Sequence, residues 1–145
     1  MKSVLDVLNH RDQTELYSIA PIETVFEAIK LMSELHVGLL PVLQENKLVG
    51  VISERDYARK VILKDKASKT TRVSEIMTRD VVTVTKSERV DVCVALMKKH
   101  RIRHLIVMEE GVVEGVISIR DLFSEIIDEQ SEQISDLVHY IRGET

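Results

Sequence analysis

Apolar and polar positions along the chain follow one order twice. The first pass opens on a short β-prone run, YSIA (Tyr17 to Ala20). Val25, Ile29, Met32 and Leu35 then fall at helical spacing. LLPVL (Leu39 to Leu43) and LVGVIS (Leu48 to Ser53) read as two strands around the turn QENK, a predicted hairpin. RDYARKVIL closes the pass as a short amphipathic helix. The second pass runs VVTVT (Val81 to Thr85), a helix with Val90, Val94, Met97 and Arg101 in the corresponding places, HLIVM (His104 to Met108), the turn EEGV, VEGVIS and the helix RDLFSEII. Asn46 and Gly111 hold equivalent turn positions, and both residue types accept positive φ.

The two passes are a duplication. GVISERD (Gly50 to Asp56) recurs as GVISIRD (Gly115 to Asp121), six of seven residues alike at an offset of 65 (115 − 50). At that offset Tyr17 to Ile62 lies on Val82 to Ile127 without a gap. Upstream, VLDVL (Val4 to Leu8) resembles VSEIM (Val73 to Met77) at an offset of 69, so the first unit carries about four extra residues around His10 to Glu15. A polar linker, KDKASKTTR (Lys64 to Arg72), joins the units. The predicted division is residues 1–66 for repeat one, 67–128 for repeat two and 129–145 for a helical tail. Units this small bury too little surface to stand alone. The predicted class is therefore α+β: two β-α-β-β-α repeats packed as one pseudo-symmetric module, helices on one face of each sheet, with a C-terminal helical extension.

Helix starts carry their own signals. Thr85 and Glu88 make a T-x-x-E capping pattern, whereas repeat one has Ala20 and then Pro21 at an expected first helical position. S-x-x-D occurs in both heptapeptides, Ser53 to Asp56 and Ser118 to Asp121, and has two readings. It is a capping pattern for the following helix. It also sets a carboxylate able to accept from both hydroxyls of a ribose beside a helix start that favours phosphate, with Arg55 or Arg120 adjacent. Gly50 and Gly115 lie mid-strand, where a missing side chain admits a ligand or another backbone.

The β-α-β-β-α order, the duplicated G-h-h-S-x-x-D phrase and the tandem arrangement resemble a pair of CBS domains, a Bateman module named after cystathionine β-synthase. The resemblance covers about residues 1–128, and SERDYARK and RIRHLIV resemble stretches of small stand-alone CBS-pair proteins. It implies a regulatory module, not an enzyme, binding an adenosyl ligand between its repeats: AMP, ADP, ATP, S-adenosylmethionine or NAD(H). It assigns ribose binding to Asp56 and Asp121, and ribose or phosphate contacts to Ser53 and Ser118.

The aligned repeats differ where the family lines its clefts. Gly38 and Leu39 stand opposite Arg103 and His104, and Ala20 stands opposite Thr85. The expected second cleft gathers Arg103, His104 and Arg120, with Thr83 and Thr85 at the first turn, and favours phosphate-rich ligands. The expected first cleft holds mainly Arg55.

Composition narrows the function further. Charged residues make up 30% with a net charge of −4, and aromatics only 3%, which argues against a nucleic-acid binder. Cys93 is the only cysteine and sits on an apolar helical face, so packing is expected of it rather than redox chemistry. No apolar run approaches the roughly 18 residues of a membrane span. His100 and His104 have i, i+4 spacing, but the predicted helix ends between them, so no metal is required. The tail carries Phe123, Ile126, Ile127, Ile134, Leu137, Val138 and Ile141 as an interrupted helical stripe, with Gly143 as a stop. A homodimer is expected to cover it. The reading is a cytoplasmic sensor of adenosyl ligands acting on an unidentified partner protein; the alternative is a dimerisation scaffold without a nucleotide.

Overall fold

The computed structural model describes residues 2–11 and 16–143. Of the extra residues predicted around His10 to Glu15, 12–15 lie outside the described residues.

Each repeat is built on one hairpin. In the first, β1 (Leu39–Gln44) pairs antiparallel with β2 (Lys47–Ser53); in the second, β4 (His104–Glu109) pairs with β5 (Val112–Ser118). Both loops are two residues long. Glu45 and Asn46, like Glu110 and Gly111, all have positive φ, the turn geometry that matches the twist of a tight hairpin. Both hairpins shift register at the same place, between Val42 and Leu43 and between Val107 and Met108.

The first predicted strand of each repeat is much reduced. YSIA contributes only a parallel bridge from Ile19 to Val42, and VVTVT contributes β3 (Thr83–Val84), parallel to β4. The expected helix starts also move. Glu23 N–H donates to the Ala20 carbonyl and Glu88 N–H to the Thr85 carbonyl, so Pro21 and the Thr85–Glu88 pattern lie in β-turns before the helices. Helix α2 (Val25–Leu35) is capped by Thr24, and α5 (Val90–His100) follows Arg89. The turn captures these residues because each helix start is met by another segment of chain.

That segment is exchanged between the repeats. Helix α4 (Val73–Ile76), which follows the linker in the predicted second unit, docks on the first repeat: Val25 N–H donates to Thr71, Val73 N–H to Glu23 and Ser74 N–H to Pro21. Helix α1 (Val4–Asn9) docks on the second: Val90 N–H donates to Lys2, Val4 N–H to Glu88 and Leu5 N–H to Lys86. These are matched bonds at the offsets read from the sequence. Val73 and Ile76 enter the core of repeat one with Val25, Met32, Leu40 and Ile52. Val4 and Val7 enter that of repeat two with Val90, Cys93, Leu105 and Ile117. Residues 2–10 of the predicted first unit thus pack on the second.

The opposite faces of the hairpins meet each other. Val51, Ile106 and Val113 form a third buried cluster with Leu39, Leu43 and Val116 packed around it. The two small repeats are one folding unit because each hairpin is buried on both faces, by helices on one side and by its twin on the other.

The closing helices differ. After Ser53 comes one α-helical turn, α3 (Glu54–Tyr57), continued as a π-helical turn over Ala58–Ile62. After Ser118 runs α6 (Ile119–Ile141), of 23 residues. Leu122 and Glu125 are buried beneath its first half, and from Gln130 onward its side chains are exposed.

Candidate functional site

Each S-x-x-D motif forms a complete capping box. Asp56 N–H donates to Ser53 Oγ at 3.1 Å, and Ser53 N–H returns a bond to Asp56 Oδ2 at 3.0 Å. In the second copy the distances are 3.1 Å and 2.8 Å for Ser118 and Asp121. The corner before each hairpin is tied to the same place: Glu54 N–H donates to Gly38 O, and Ile119 N–H to Arg103 O. Motif and corner therefore lie together because one backbone bond closes them.

Two clefts open along this line. The larger, of about 840 Å³, holds Ser118, Arg120 and Asp121 together with Arg11, Tyr17 and His36. The smaller, of about 330 Å³, holds Ser53, Arg55 and Asp56 with Thr78 and Asp80. Gly38, Leu39, Arg103 and His104 line both. The two corners face each other across the pseudo-two-fold: a Cβ on Gly38 would lie 3.7 Å from His104 Cε1. The expected difference between a basic second corner and a bland first one is therefore shared between the clefts. Burial holds the His104 imidazole below its ordinary pKa of 6.5; Asp121 opposes this shift and Arg103 adds to it.

Ala20, Thr83 and Thr85 do not line either cleft. Thr85 Oγ is hydrogen-bonded to Ser87 Oγ at 3.1 Å, and Thr83 is exposed on β3.

The clefts differ in how their carboxylates are engaged. Asp56 is nearly buried, its side chain 10% exposed, and both oxygens are occupied. Oδ2 accepts from Ser53; Oδ1 accepts from Thr78 Oγ1 at 3.1 Å and pairs with Lys60 Nζ at 3.0 Å. Asp121 is 25% exposed, with Arg11 Nη1 3.6 Å from Oδ2. Among the described residues nothing bonds its Oδ1.

The ionic part of the difference traces to one aligned position. Lys60 of repeat one corresponds to Glu125 of repeat two, so the second repeat carries an acid where the first carries its neutralising cation. Glu125 is 3% exposed. The N-terminal segment compensates it: His10 Nδ1 lies 3.0 Å from both carboxylate oxygens, and Lys2 Nζ lies 3.9 Å away. Sequence reasoning missed His10, Arg11, Lys60 and Glu125. The charge reversal at the 65-residue offset was the signal available for the last two.

The mid-strand glycines serve chain, not ligand. A Cβ on Gly50 would come within 2.8 Å of the Thr78 carbonyl oxygen, which lies against Val51 in a bridge. A Cβ on Gly115 would come within 3.1 Å of Leu8 Cδ2 and 3.7 Å of Arg11 Nη2. Cys93 is buried in the second core, which pushes its thiol pKa up to about 11 and leaves it a poor nucleophile.

No helix among the described residues is long and apolar enough to cross a membrane, and none of their His, Cys, Asp and Glu side chains cluster as a metal site. Comparison with known proteins agrees with this architecture. The family model described as CBS domain matches residues 6–63 and 73–128. A mitochondrial CBS domain-containing protein of Arabidopsis thaliana is 37% identical over 126 residues, 83% of this chain; the chain spans 61% of that relative's length. A solved structure of a protein with CBS domains from Burkholderia ambifaria superposes with a TM-score of 0.86 at 42% identity, covering 89% of this chain and 96% of that one. A CBS domain protein from Pyrobaculum aerophilum, solved in complex with AMP, superposes with a TM-score of 0.73 at 26% identity, covering 83% and 89%. Duplicated hairpins, exchanged capping segments and paired clefts at the S-x-x-D motifs thus have one common origin: the chain belongs to the CBS domain family and carries two copies in tandem.

Proposed function

We propose that this protein is a regulatory module that binds an adenine nucleotide, AMP, ADP, ATP or NAD(H), in the larger cleft, and passes the bound state to a partner protein. The observation that carries the reading is Asp121: it lines the cleft, is partly exposed, accepts from Ser118 through Oδ2, and among the described residues has no bond to Oδ1. A carboxylate so placed can accept from both ribose hydroxyls. Arg103, Arg120 and His104 line the same cleft and supply cations or donors for phosphate. The AMP complex of the Pyrobaculum relative supports the ligand class. The reading assigns no catalysis and no required metal.

The smaller cleft has a lesser role. Asp56 is internally satisfied, so a ribose there must displace Thr78 or Lys60. Ser53, Arg55, Gly38 and Leu39 complete a weaker, secondary site.

A homodimer belongs to the proposal. On α6, Ile127, Ile134 and Ile141 recur every seven residues, as do Phe123 and Leu137 with Gln130 between them. The five apolar members are exposed. Isoleucine at one seam position and Leu or Phe at the other suits a two-stranded packing of helices from two chains. A cytoplasmic setting goes with this reading; the organelle of the Arabidopsis relative is the alternative, and cell fractionation separates the two.

The test is a thermal-shift panel of AMP, ADP, ATP, NAD(H) and S-adenosylmethionine, with mass spectrometry of small molecules retained through purification. A ligand at 100 times its Kd adds about 2.7 kcal/mol, a rise of roughly 5–10 °C in Tm. No shift with any of them at millimolar concentration overturns the reading. It would favour the second one, a dimerisation scaffold in which both S-x-x-D motifs only cap helices. The observation behind that alternative is the complete capping box at each motif.

A further inference from the structure

Among the described residues, the larger cleft contains one cation that comes from neither motif nor corner. Arg11 follows α1, which the second core holds through Val4 and Val7 while Leu8 lies over Gly115. This docking delivers the guanidinium to the cleft wall beside Asp121.

Its bonding there is incomplete. Nη1 donates to the Val116 carbonyl and lies 3.6 Å from Asp121 Oδ2, beyond a good hydrogen bond. Nε is buried, and among the described residues no acceptor meets it. In the first repeat the equivalent strand position is filled by backbone: Val51 and Thr78 exchange two bonds, N–H to O at 2.9 Å and 2.8 Å. In the second repeat a side chain replaces that bridge. A backbone bridge is a finished contact, whereas a guanidinium with a spare N–H is an anion receptor.

Nothing else the segment contributes plays this part. His10 and Lys2 are turned to the buried Glu125, and Lys2 also lies 3.9 Å from Glu132. Arg11 alone of the three faces the carboxylate that the nucleotide reading assigns to ribose.

We infer that Arg11, supplied by the segment preceding the first repeat, is the residue by which the larger cleft selects a phosphorylated nucleoside over the bare nucleoside. The inference rests on the nucleotide-binding reading of that cleft. A ribose on Asp121 places the 5′ substituent within the cleft. Phosphate oxygens then provide the acceptors that Nε lacks, after a rotation of the side chain. The bare nucleoside offers no such oxygens and meets the guanidinium only as a competitor for Asp121.

The experiment is calorimetric titration of the whole protein with AMP and with adenosine, for wild type, Arg11→Met and Arg11→Lys. Wild type is expected to prefer AMP by about tenfold or more, the scale of one charge-assisted contact. Arg11→Met should lower that ratio about fivefold or more by weakening AMP while adenosine is retained, the remainder resting on Arg103, Arg120 and His104, and Arg11→Lys should restore part of it. Circular dichroism melts establish that the variants are folded. An unchanged ratio in Arg11→Met overturns the inference and leaves the nucleotide reading standing. Equal loss of both ligands in a folded Arg11→Met also overturns it, since Arg11 then only shapes the cleft. Failure of wild type to bind either ligand overturns both.

Discussion

Lys60 Nζ lies 3.0 Å from Asp56 Oδ1, and the residue at the place of Lys60 in the second repeat is Glu125. This charge reversal, together with the Thr78 hydroxyl on Asp56 Oδ1, separates the closed motif from the open one. In repeat one the carboxylate is neutralised within its own helix, four residues away. In repeat two the helix is doubly acidic, and its cations, Lys2 and Arg11, arrive from the N-terminal segment.

Asp56→Ala is therefore expected to act on stability, and Asp121→Ala on binding. The first removes a cap and the acceptor shared by Thr78 Oγ1 and Lys60 Nζ, a loss of about 2 kcal/mol by urea unfolding. The second loses a cap on a long helix, about 1 kcal/mol, and at least about tenfold in nucleotide affinity. The reverse ranking in paired unfolding and titration experiments would refute this assignment of roles.

The two glycines should tolerate alanine differently. At Gly50 the new methyl meets the Thr78 carbonyl, held in a backbone bridge, and the expected cost is about 1–3 kcal/mol. At Gly115 it meets the end of the Leu8 side chain, which can turn away, so the expected cost is less than about 1 kcal/mol. Thermal melts of the two single variants read the difference; equal losses would mean that backbone and side chain yield alike at the two positions, contrary to this packing.

Stability should fall with acidification through His104. Its folded pKa is depressed by burial, so below about pH 6.5 the unfolded chain takes up a proton that the folded one does not. The contribution is complete above that pH, declines as pH falls toward the folded value, and then levels off. His104→Gln should flatten the dependence between about pH 7.5 and 5.5 in urea titrations. A slope identical to wild type would place the pH sensitivity elsewhere.

The exposed seam of α6 should hold two copies together. Ile134→Asp puts a charge at the middle of the isoleucine row and is expected to give a monomer by light scattering, with the melting temperature of the module little changed. A monomeric wild type at micromolar concentration would remove the dimer from the proposal.

Much of this was legible in the sequence because it is local or duplicated. The hairpins showed in paired apolar runs around Asn46 and Gly111, and both turn positions have positive φ. The S-x-x-D caps showed at fixed spacing, and both boxes formed. The tail showed its stripe, and α6 carries it to Ile141. Less legible were YSIA and the pattern at Thr85: their short-range signals lost to turns that another segment stabilises.

By itself, then, the sequence determined the repeat, its elements and the residues of each motif, because spacing along the chain sets which side chains share a face or a cap. Only the tertiary structure decided that α1 crosses to the second repeat, that Gly38 faces His104 between the clefts, and that Asp56 is spent while Asp121 is open. Those relations join residues as far apart as His10 and Glu125, 115 positions along the chain. Burial and charge balance select such pairings only when the whole core closes, and no local pattern encodes them.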